Sequence, residues 1–118
     1  IYCSDGHAVI VKSTTIDSNS SYLAGAGIYS DSADLVVTSS HIRNNDGDGV
    51  CIARDSATVN QCDITGNTGY GVSNHGSSHI VNAENNWWGD ASGPAGAGPG
   101  SGASVSAYVD FDPWRIQP

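Results

Sequence analysis

The chain has 118 residues, with 4 Lys+Arg against 12 Asp+Glu and a formal charge of −8. This acidic balance repels nucleic acid and anionic membrane surfaces, and no run approaches the roughly 18 apolar residues of a membrane span. The length sets one domain, and with no Met in the chain and no signal peptide at its start, Ile1 reads as a processed or excised end.

Taken in chain order, the apolar residues alternate instead of recurring every three or four. Val9, Val11 and Ile16 are followed by Leu35, Val37 and Ile42, then by Ala57, Val59 and Ile64. This predicts short strands separated by turns and no amphipathic helix. Gly27-Ile28, Gly49-Val50 and Gly71-Val72 recur at 22 residues. A fixed period of this length describes equivalent coils, stacked about 4.8 Å apart with Val on Val and Ile on Ile in parallel register.

Each isoleucine stands three residues before Asn19, Asn45 or Asn67, and in a fourth coil Ala83 stands three before Asn86. The Asn steps of 26, 22 and 19 predict an insertion within Ser18 to Ala26 and a shortened fourth coil. The four asparagines are expected to form a structural turn ladder: Asn tolerates the left-handed region, and stacked amides bond from coil to coil.

From Asn85 the text changes to Asn85-Asn86-Trp87-Trp88-Gly89-Asp90-Ala91-Ser92-Gly93-Pro94, a Gly/Pro/Ala loop and then Val109-Asp110-Phe111-Asp112-Pro113-Trp114. Val105, Ala107, Val109 and Phe111 alternate with polar residues, which predicts one last strand with a buried face. The division is therefore residues 1–86 as coils and 87–118 as C-terminal cap, loop and final strand. Trp87, Trp88, Phe111 and Trp114 are expected to cover the last coil, each burying about 150–250 Å².

The NNWWGDASGP tract and the later VDFDPW, with the repeats before them, resemble the C-terminal end of right-handed parallel β-helix proteins of bacteria and archaea, often secreted or surface-displayed. The resemblance covers essentially the whole chain and implies an all-β solenoid of about four coils. That superfamily also includes pectate lyases and other polysaccharide-active enzymes, but the terminal motif specifies architecture, not activity.

At the other end Ile1-Tyr2-Cys3 aligns with Ile28-Tyr29-Ser30, so the chain begins inside a coil. Upstream coils or a copy of the same chain are the expected partners of this self-association edge, and head-to-tail contacts of that kind propagate into filaments. Cys3 is expected to be exposed there, Cys62 to face inward and Cys51 outward. Cys3 and Cys51 lie about two coils apart, near 10 Å, too far for a disulfide.

Elimination on an acidic sugar polymer needs a base and cationic groups. Arg54, with Asp31, Asp55 and His75, is the one cluster that such chemistry could use, and a solvated ion pair is the plain alternative. Arg43 is expected to pair with Asp17 and His41 with Asp63, and Arg115 falls in the tail. Asp46 and Asp48, among turn glycines, are where Ca²⁺ would bind, although no glutamate completes the loop and no cofactor is required. Asn19-Ser20-Ser21 is an acceptor tripeptide for N-glycosylation at Asn19. The expectation is an extracellular or cell-surface structural and adhesive solenoid rather than an enzyme. The alternative is a fragment of a polysaccharide-active lyase, hydrolase or epimerase.

Overall fold

A computed structural model of the chain describes residues 1–31, 34–76 and 78–118. Three coils carry three strands each. The first has β1 (Tyr2–Cys3), β2 (Ala8–Lys12) and β3 (Thr15–Asp17); the second β4 (Ser20–Ser30), β5 (Asp34–Thr38) and β6 (His41–Arg43); the third β7 (Asp46–Ile52), β8 (Ala57–Asn60) and β9 (Asp63–Thr65). Then follow β10 (Val72–Asn74), β11 (Val81–Asn82), β12 (Pro94–Gly96), β13 (Gly102–Val105) and β14 (Val109–Asp110). No helix among the described residues is long and apolar enough to cross a membrane.

The strands form three parallel sheets, ordered β1-β4-β7-β10-β13-β12, β2-β5-β8-β11-β14 and β3-β6-β9. Register sets like on like. Val11 faces Val37, which faces Val59, and Ile16, Ile42 and Ile64 do the same. Val37, Val59, Ile42 and Ile64 are fully buried, each contributing about 1.5–3 kcal/mol relative to exposure. The column Gly27–Gly49–Gly71 has a steric cause: a Cβ on Gly49 would stand 2.7 Å from the Gly71 carbonyl oxygen. Only a residue without a side chain lets successive coils approach this closely.

The expected insertion is absorbed inside β4. Ser20 lies opposite Asp46, Gly25 opposite Asp48 and Ile28 opposite Val50, so the irregularity is confined to Ser20–Ile28 and the register is restored by Ile28.

Four expectations are corrected. Asn82 faces Thr58 and Asp63 bridges to Trp87, so the fourth coil is longer than the third, not shorter. Asn86 consequently leaves the ladder. It sits at the other corner, where its Oδ1 accepts from the Cys62 N–H (2.9 Å) and its amide donates to the Val59 and Ala83 carbonyls. Nor is residues 105–111 one strand: the chain turns at Tyr108 (φ 61°), with β13 beside β10 in the first sheet and β14 beside β11 in the second. The sheets thus continue beyond residue 86. Cys3 is buried, because Tyr2 stacks outward on Tyr29 and alternation turns the next side chain into the core.

The ladder itself runs from Asn19 to Asn67. The Asn19 amide donates to Asn45 Oδ1 (3.0 Å), the Asn45 amide to Asn67 Oδ1 (2.8 Å), and Asn45 and Asn67 also reach the Ile16 and Ile42 carbonyls. The left-handed residues are the ones just before: Ser18, Asn44 and Gly66, at φ 57°, 55° and 68°. The turn and the ladder are therefore separate positions.

Candidate functional site

Chemistry-bearing side chains gather on the outer face of the first sheet. Alternation along β1, β4, β7 and β10 sends Ile28, Val50 and Val72 inward and leaves Tyr2, Tyr29, Cys51 and Ser73 in one outward row. Tyr2 and Tyr29 stack with ring centroids 5.5 Å apart and planes 6° from parallel. Beside them a groove of about 310 Å³ is lined by Ile1, Asn19, Ser20 and Gly25.

Further along the row the surface is polar yet closed to solvent. Cys51 is fully buried although it points away from the core, and Asp48 is 8% exposed. Asp48 Oδ1 accepts from the Tyr70 N–H (2.8 Å) and Oδ2 from the Ser73 hydroxyl (2.6 Å). His75, exposed, is fixed through its backbone N–H to the Ile52 carbonyl (2.8 Å). One donor atom from each of Asp48, Cys51 and His75 lies within 4.8 Å of the other two. Burial pushes the Cys51 thiol pKa up.

Within the cluster expected around Arg54, two members bond directly. Arg54 makes a forked pair with Asp31, Nε to Oδ1 at 2.7 Å and Nη2 to Oδ2 at 3.2 Å, and the Asp31 bond holds the guanidinium proton more firmly. His75 lies with Asp48 and Cys51, and Asp55, beside Arg54, occupies an exposed left-handed turn (φ 68°). Asp46 and Asp48, the expected calcium ligands, meet different partners. The Asp46 carboxylate accepts from the Thr68 hydroxyl (3.1 Å), while both Asp48 oxygens are engaged as above.

On the third sheet Arg43 Nε lies 2.9 Å from Asp17, whose pKa is lowered first by the Ser18 hydroxyl and then by Arg43. His41 lies 3.2 Å from Asp63. Arg115, in the tail, folds back onto the same Asp63, and its backbone N–H donates to the Asn86 carbonyl (2.9 Å). The resulting groove, about 560 Å³, has no counterpart in the repeat pattern because one of its walls comes from outside the coils.

At the C-terminal end Trp88 is 1% exposed and extends the isoleucine column, since the Asp63–Trp87 bridge sets it opposite Ile64. Phe111 and Trp114 pack against the core with centroids 6.1 Å apart, and the Trp114 indole N–H donates to the Ala91 carbonyl (3.1 Å). Trp87 is half-buried. Asn19, the glycosylation candidate, is exposed, with its amide nitrogen bonded to Asn45.

Residues 1–87 match the family model described as the right handed beta helix region. No curated protein and no solved structure matches the chain. Parallel sheets stacked coil on coil, with that match covering most of the sequence, mean that the chain belongs to the right-handed β-helix family.

Proposed function

We propose that the chain is an extracellular or cell-surface structural and adhesive solenoid module that takes further β-coils onto its N-terminal edge, including those of another copy of itself. One observation carries this reading. The apolar columns run to the outermost strands β1, β2 and β3 without a change of character: Cys3, Val11 and Ile16 are core residues there, and Val9 is half-buried against them. A following coil would find the same surface that β5 and β6 find one step further in. Trp87, Trp88, Phe111 and Trp114 are read as closing the opposite end.

Light scattering across a concentration series tests the self-association. The expected outcome is growth in mass with concentration, suppressed by Val9→Lys, which places a charge where the next coil would pack. A monomer of constant mass at every concentration would overturn it. A second reading, a polysaccharide-active fragment, has one observation in its favour: the stacked Tyr2 and Tyr29 share a sheet face with the forked Arg54–Asp31 pair.

A further inference from the structure

We propose that Asp48, Cys51 and His75 form a binding site for a thiophilic divalent transition metal of the zinc class. The three donors come from neighbouring coils. Asp48 and Cys51 lie on β7 and His75 just beyond β10, and the parallel register that sets Cys51 opposite Ser73 brings His75 diagonally within reach. Sulfur, nitrogen and oxygen donors on one small patch suit Zn²⁺ or Co²⁺, whereas Ca²⁺ and Mg²⁺ take oxygen ligands.

The geometry is close to that of a bound state. Tetrahedral zinc with ordinary bond lengths holds its ligand atoms roughly 3.5 Å apart. From separations within 4.8 Å, the adjustment falls to His75, whose exposed ring can turn while its backbone stays bonded to Ile52. Asp48 is already oriented by the Tyr70 N–H and the Ser73 hydroxyl, the kind of outer support that ligating carboxylates have, and each oxygen keeps a lone pair for a metal. Binding releases the Cys51 thiol proton to solvent, and the metal takes the resulting thiolate, His75 nitrogen and an Asp48 oxygen, with water as fourth ligand. The site is separate from the edge strands that carry the assembly proposal.

The test is Co²⁺ titration of the reduced, chelator-treated chain. One Co²⁺ per chain is expected, with a sulfur-to-cobalt charge-transfer band in the near ultraviolet that Zn²⁺ abolishes. Cys51→Ser should remove the band, and His75→Ala should weaken binding at least about tenfold. His79, an exposed histidine whose ring lies against the Ser78 hydroxyl, is the control, and His79→Ala should change neither. Because His75 is exposed, His75→Ala should keep the metal-free melting temperature while losing the rise that Zn²⁺ gives the parent chain. Absence of a thiolate band, a band that survives Cys51→Ser, or unchanged affinity in His75→Ala would overturn the proposal.

Discussion

The two corners flanking the third sheet meet one geometric demand with different chemistry. Entering that sheet, the chain turns through left-handed Ser13, Ser39, Gln61 and Asn85, followed by Thr14, Ser40, Cys62 and Asn86. Leaving it, the chain turns through Ser18, Asn44 and Gly66, followed by Asn19, Asn45 and Asn67. The backbone does the same thing at both. Only the second corner repeats one side chain up the stack, because only there does each side chain bond to its own kind in the next coil. The turn, then, sets the coil and tolerates several residue types, whereas the amide ladder tolerates one.

The largest effect should come from breaking the ladder at its centre. Asn45 is fully buried and joins Asn19, Asn67 and the Ile16 carbonyl, so Asn45→Ala strands several polar groups at once. A loss of about 3 kcal/mol is expected in urea unfolding. At the mixed corner Ser40 accepts from the Thr14 N–H (3.2 Å) and donates to the Thr38 carbonyl (2.8 Å), near an end of the pattern where Thr14 is exposed. Ser40→Ala should cost about 1 kcal/mol, and equal losses at the two corners would erase the distinction drawn between them.

At neutral pH the last effect vanishes, since it is confined to alkaline solution. Burial pushes the Cys62 thiol from 9.0 up to about 11. A raised thiol pKa keeps its full contribution below the unfolded value and loses it as pH climbs toward the folded one. Stability should therefore begin to fall by a few tenths of a kcal/mol at about pH 9 and fall further toward about pH 11, with a shallower decline in Cys62→Ala. Cys3 and Cys51 are raised as well, so the decline is reduced and not abolished.

This contrast also explains what the sequence disclosed. The first three coils were legible because identical residues pair with identical residues, and the predicted partners of Arg43 and His41 are those found. Residue type alone assigns Asn86 to the ladder and so misplaces the fourth coil, whereas its position follows from the left-handed Asn85 before it. Alternation through Val105 and Phe111 runs across a turn that carries no Gly or Pro at its left-handed residue, Tyr108. At the candidate site, the 22-residue step from Cys51 to Ser73 contains the proximity to His75. What spacing alone does not carry is the direction of Asp48, which depends on its bonds to Tyr70 and Ser73.

The insertion taken up between Ser20 and Ile28 has a consequence for how such a chain can vary. Ile28 is again opposite Val50, and the columns after it run in step, so length added here goes no further along the stack. Lengthening a loop adds only slowly to its closure entropy, and a coil feels only its neighbours. The stretch is thus a natural graft point, where foreign peptide could be displayed on the solenoid while the remaining coils keep their alignment.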